Sequence, residues 1–445
     1  MCGVNEVPDP EELIEITPGP APPAGPGRHD PYAALRCREY LLYAIGNLFS
    51  AIASSMQAVA IGWELYDRTG SALALGWVGL VQAFPIVLFA LPAGQLADRF
   101  DRRRLVVLGQ GLTVLCSLGL AALSYTRGPV PAVYGLLFLS ALARAVHWPA
   151  SSALMPQLMP RAVFSNAVTW RSTAFQVASV AGPALGGLLI ACYEKPAVVY
   201  AATAALTLVN CLLVSRIKVQ PVSRTSEPAS VDSLLAGIGF VWRTKPVLAA
   251  ITLDLFAVLL GGATALLPIY AKDILRVGPT GLGWLRAAPA FGAFVMAMVI
   301  AHRPPWPRPG RALLWAVAGF GLVMIGFGWS RWFWFSMVML VVSGALDNIS
   351  VVIRHSLVQL STPDAMRGRV SAVNAVFISC SNELGEFESG FVAAGFGPVA
   401  SAVSGGVGTI LVVLVVSRVW PQIRHLRAWD AAAATPTAKS SNGAP

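Results

Sequence analysis

Apolar runs of 18 residues or more recur along the whole chain, and each is long enough to cross the ~30 Å hydrocarbon layer of a bilayer as a helix. No other feature restricts the fold as much. Backbone in lipid must satisfy its own hydrogen bonds, which leaves helices and closed barrels. Barrel strands would alternate polar and apolar residues, and these runs do not. Composition points the same way: 56% of the 445 residues are hydrophobic and 12% charged, with a mean hydropathy of +0.64. A soluble domain carries about 25% charge, so this chain cannot cover a water-facing surface. The expected class is an all-α polytopic membrane protein.

Twelve spans are expected, at roughly 40–66, 72–97, 103–125, 131–157, 165–192, 196–216, 247–271, 280–302, 311–329, 332–360, 369–395 and 397–419. Residues 1–38 read as a Pro-rich, disordered cytoplasmic tail without the basic start of a secretory signal. Residues 39–216 form a first six-helix half, 247–420 a second, and 421–445 a further cytoplasmic tail. Between the halves, 217–246 is a polar cytoplasmic linker. There Leu234, Ile238 and Val241, with Leu235 and Trp242 alongside, suit a short amphipathic helix on the membrane surface.

Lysine and arginine set the orientation. With both termini cytoplasmic, the inner loops hold 21 of these residues and the outer loops six. The formal charge of +10 is thereby a topology signal, and no nucleic-acid partner is needed to explain it. The six cysteines lie far apart, with no metal or redox spacing.

The chain also repeats itself. "GWVGLVQAFP" from Gly76 has a partner in "GWLRAAPAFG" from Gly283, and "GPALGG" from Gly182 has one in "GEFESG" from Gly385. "LYDRTG" upstream matches "IYAKDI". Six spans are an even number, so the halves share one orientation and should be related by a pseudo-two-fold along the membrane normal. Such halves enclose a cavity near the midplane.

"GQLADRFDRRR" (94–104) closes the second span and enters a cytoplasmic loop. It resembles the loop signature of the major facilitator superfamily, with Asp101 where the family has Gly. The resemblance implies a conformational latch between the second and eleventh helices, carried here by Gly94, Asp98 and Arg99. "AGPALGG" resembles the core of the superfamily's antiporter motif, which implies helix packing between spans 5 and 8 through Gly182, Pro183, Gly186 and Gly187. Simple close packing by small residues is the competing reading. "LYDRTGSALALGW", "DLFAVLLGGATALLPIYAKDIL", "GWLRAAPAFGA" and "RGRVSAVNAVFISCSNELGEFESG" together resemble the enterobactin-exporter-like branch, the transmembrane secretion effectors. That likeness covers about 36–420. It implies a twelve-helix bacterial inner-membrane exporter driven by proton exchange, in a branch that includes siderophore and drug exporters.

Ionisable residues inside the spans can be read without that likeness. One charge at a helix centre costs roughly 2.5–3.5 kcal/mol on insertion scales, so such groups face a cavity or one another. "SNELGEFESG" (381–390) carries three glutamates into an apolar span. Glu383 and Glu386 share a face, and Glu388 points away. Val180 and Pro183 occupy the matching places in the first half, so the acids are not part of the shared scaffold. Proton or substrate coupling is expected of Glu383, Glu386, Asp347, Arg144 and Arg286. Arg144 should face the cavity and pair with an acid or an anionic substrate group, and Glu388 should pair with a neighbouring helix. Arg171, Asp254, Arg354 and His355 also fall within spans. The competing reading is a set of fixed ion pairs locking helices together.

No phosphate-binding loop, nucleophile elbow or zinc motif occurs. The expectation is therefore a transporter and not an enzyme, with no cofactor and no metal. It would be monomeric, surrounded by lipid, and would exchange protons for a small amphipathic molecule. Import or lysophospholipid flipping on the same fold, and a non-transporting receptor, are the rival readings.

Overall fold

The computed structural model describes residues 30–219, 238–304, 306–363 and 366–425. Leu234, Leu235 and the greater part of both tails lie outside them. Twelve long helices carry the fold: α1 (Arg38–Thr69), α2 (Ala72–Arg99), α3 (Arg102–Thr126), α4 (Val130–Leu154), α5 (Phe164–Tyr193) and α6 (Pro196–Ser215), then α7 (Lys245–Gly261), α8 (Gly278–Ala301), α9 (Pro309–Trp329), α10 (Phe333–Ser361), α11 (Arg367–Phe396) and α12 (Pro398–Val419). Eleven of the spans are long and apolar enough to cross a membrane by hydropathy alone, α7 counting together with its continuation to Ile274. The exception is α11, the helix loaded with glutamates.

Local chemistry explains the breaks between helices. Gly70 ends α1 in the left-handed conformation, at φ 59°, which glycine adopts without steric cost. Asp101 caps α3, its side chain accepting from the backbone N–H of Arg104 at 3.2 Å. The residue that departs from the superfamily signature thus starts the next helix. After α7 the chain passes through a 3₁₀ turn (Ala263–Leu266), a single α turn and a π turn (Tyr270–Ile274) before α8.

Packing repeats between the halves. In the first, α1 packs on α5 and α6, α3 on α4 and α6, and α2 on α4. In the second, α7 packs on α11 and α12, α9 on α10 and α12, and α8 on α10. Each of these contacts in one half has its counterpart in the other. The halves meet along two seams, α2 with α11 and α5 with α8, which are also equivalent under the repeat. Large apolar side chains point outward from the peripheral helices, among them Leu108, Leu115 and Leu118 on α3 and Leu411, Leu414 and Val415 on α12. That is the surface lipid requires.

Residues 238–243 are helical, with Val241 buried against Val247, Ile251, Val358, Val370 and Val373 and Trp242 exposed. The described part of the linker thus turns its apolar side to the ends of α7, α10 and α11.

Candidate functional site

Both seams depend on glycines from the repeated motifs. A Cβ on Gly390 would lie 2.6 Å from Gly76 Cα and 2.9 Å from Ala72 O. One on Gly187 would lie 3.0 Å from Gly283 Cα and would also crowd Pro279 O. Gly76 corresponds to Gly283, and Gly390 to Gly187. The same pair therefore builds both seams, each half supplying each member once. The closest approaches lie toward the end of the bundle where α1 meets α2 and α7 leads into α8. There Lys272 pairs with Asp67 at 2.5 Å, the Tyr66 hydroxyl donates to Asp273, and the Lys272 ammonium stands over the Tyr66 ring. These residues come from the matched segments "LYDRTG" and "IYAKDI".

Below this closed end lies a cavity of about 420 Å³ between the halves. Four of the five residues expected to couple protons or substrate line it: Arg144 on α4, Arg286 on α8, and Glu383 and Glu386 on α11. Arg144 donates from Nη2 to Gln82 Oε1 at 3.1 Å and to Glu383 Oε1 at 3.4 Å. The second contact bridges the two halves. Arg286 Nη2 stands 3.9 Å from Glu386 Oε1, an ion pair beyond hydrogen-bond range. Gly79 makes this arrangement possible, since any side chain there would run into the Glu383 backbone and the Glu386 Cβ. Neither Gln82 nor Gly79 was singled out from the sequence, although both lie in or beside the repeated "GWVGLVQAFP" stretch.

Asp347 is placed elsewhere. It lines a small cavity with Asp254, Ser350 and Phe320, between α7, α9 and α10. Its turn of α10 faces the interior of the second half. Beside it Asp254 and Arg354, 8% and 3% exposed, form an ion pair inside that half. Glu388 accepts a long hydrogen bond of 3.5 Å from the Ser389 hydroxyl next to it in sequence. His147 lines the central cavity with a buried Nδ1 that has no hydrogen-bond partner among the described residues.

In the "AGPALGG" stretch, Gly182 and Gly186 press against Ser55 and Met56 of α1, while Gly187 and the Pro183 carbonyl meet α8. The stretch therefore seals two interfaces, not only the α5–α8 one. At the far end of α2, the side chains of Gly94 and Asp98 lie outside the described residues. Arg99 is the last residue of the helix and is exposed.

Residues 29–443 match the model of the transmembrane secretion effector family. The chain belongs to that family. It is 24% identical over 384 residues to the enterobactin exporter EntS of Escherichia coli strain K12, covering 86% of this chain and 92% of that one, and equally to EntS of Shigella dysenteriae serotype 1. Its fold is shared with the nucleoside transporter NupG (TM-score 0.70, 12% identity, 86% of this chain and 99% of that one). It is likewise shared with a bacterial homologue of the lysosomal transporter Spinster (TM-score 0.68, 14% identity, 89% and 99%). The protein is a major facilitator transporter, built as a multi-pass protein of the inner membrane.

Proposed function

We propose that the protein is a secondary active exporter that moves a small amphipathic molecule, siderophore- or drug-like, outward in exchange for protons by alternating access. The observation that carries this reading is the Arg144–Glu383 contact, an ion pair that joins the two halves across the cavity. A proton taken by Glu383 removes the charge that holds Arg144, so loading a proton and loosening one half from the other become one event. Glu386 and Arg286 extend the same chemistry one helical turn further along α11. On the lysine and arginine count, the closed end faces outward and the cavity belongs to a cytoplasm-accessible state. A relative named as an exporter supports the outward direction. The latch role of Gly94, Asp98 and Arg99 belongs to this reading: loss of the Asp98 charge should slow transport while the protein still inserts.

The test is a dye-reported proton flux in inverted vesicles, energised and then challenged with candidate siderophores and drugs. Wild type should release protons from the vesicle lumen as it takes up substrate, and Glu383→Gln should not. Uptake into intact cells with no accumulation in inverted vesicles would establish import and overturn the proposal.

A further inference from the structure

The two walls of the central cavity are chemically unlike. The second half contributes the charged groups Arg286, Glu383 and Glu386 and few other polar ones. The first half contributes a dense set of uncharged hydrogen-bonding side chains from all six of its helices, with Arg144 as its one charge. On α1, Asn47, Ser50 and Ser54 follow at helical spacing and point along one stripe. Some of these groups are engaged: Gln110 donates to Ser50 at 3.4 Å and Ser117 donates to Gln57 at 3.1 Å. Others are not. Asn47, Ser54, Ser140 and Thr207 have no side-chain hydrogen-bond partner among the described residues, although Thr207 is only 2% exposed.

We infer that this uncharged wall is the substrate-selecting surface, and that it takes an electrically neutral molecule rich in hydroxyl or amide groups. The inference rests on the transport reading above and narrows it. The charges lining the cavity already cancel, since Arg144 stands against Glu383 and Arg286 against Glu386. A permanently charged substrate would add an uncompensated charge that has to leave bulk water as the halves close around it, which is costly. A neutral polyhydroxylated molecule instead exchanges water contacts for serine, threonine and asparagine contacts. A site built to hydrogen-bond a hydroxyl also rejects an analogue that lacks it far more strongly than an apolar pocket rejects a misfit. Lipophilic cations are therefore poor ligands here.

The experiment is titration calorimetry on the purified full-length protein in nanodiscs with three probes. These are 4-nitrophenyl β-D-glucoside, 4-nitrophenyl sulfate and tetraphenylphosphonium. The glucoside should bind saturably and at least about tenfold more tightly than either ion. The triple variant Ser54→Ala, Ser140→Ala, Thr207→Val should weaken the glucoside at least about tenfold, as expected for two or three lost hydrogen bonds. Thr207→Ser, which keeps the hydroxyl and loses one methyl group, should bind as wild type does. Tighter binding of the sulfate or the phosphonium, no saturable glucoside binding, or a correctly folded triple variant with unchanged affinity each overturns the assignment. Glucoside that binds as expected but does not cross proteoliposome membranes supports this assignment and counts against the transport reading. Flux of the phosphonium with no glucoside binding does the reverse.

Discussion

The two halves of the molecule share one packing diagram and almost none of its chemistry. In their main contacts, α1 to α6 are arranged as α7 to α12 are. Yet the first half brings one charge, Arg144, to the cavity, whereas the second brings Arg286, Glu383 and Glu386 and also buries the Asp254–Arg354 pair in its core. Where the second half has glutamates, the first has Val180 and Pro183. A scaffold that works without the acids in one copy does not require them for folding in the other. The difference separates what the duplicated fold needs from what the transport cycle needs.

The sharpest way to break this comparison is at the glutamates. Glu383→Gln with Glu386→Gln should leave the protein inserted and thermally stable while abolishing proton-coupled flux, read with a pH-sensitive dye in proteoliposomes. Normal coupling in the double variant would make the pair structural. The opposite outcome is expected for the other ionic cluster. Arg354→Leu leaves Asp254 charged and buried, so it should cost about 3–5 kcal/mol of stability, seen as a lower midpoint in thermal unfolding. If transport fails with no loss of stability, Arg354 belongs with the working groups and the division drawn here is wrong.

The seams give a subtler contrast. In Gly283→Ala the new methyl would lie 2.5 Å from the Pro183 carbonyl oxygen, and backbone yields little. Thiol labelling at the closed end should rise several-fold and transport should fall about tenfold. Gly76→Ala, the equivalent position, would bring its methyl to 3.1 Å from the Phe387 carbonyl oxygen and should act in the same direction but more weakly; a stronger effect there than at Gly283 would overturn this reading of the seams. The smallest effect is expected at Asp67→Asn. Lys272 and Asp67 are 35% and 54% exposed, and a surface pair is worth ~0–1 kcal/mol. Labelling at the same end should therefore change no more than a few-fold.

Much of the architecture was legible because membranes punish irregularity. Length and apolar composition mark eleven spans directly. The remaining one, α11, is partly disguised by the charges it carries, and the apolar stretches on either side of its glutamates, with its place in the repeat, mark it as a span. The mid-depth charges could be counted but not paired. Arg144 and Glu383 are 239 residues apart, and their meeting depends on how α2 and α11 press together at Gly79. Asp347 shows the limit most clearly: its depth in α10 is readable, but the face it occupies depends on which neighbours α10 acquires, and those turn it away from the central cavity. The irregular turns from Ala263 to Ile274 had no sequence mark beyond a glycine pair and a proline inside an apolar run.

The glycine seams carry a last consequence. Gly76 against Gly390 and Gly283 against Gly187 are one contact written twice with the chain order exchanged. A surface that fits itself in this way is what two identical subunits present to each other across a dyad. Half of this chain, paired with a copy of itself, would close both seams without a single change at those positions. What such a symmetric pair could not hold is a lone acidic helix facing a neutral one across the cavity. Fusing the two copies into one chain is what permits them to differ, so the working asymmetry of the protein is a property of its covalent continuity.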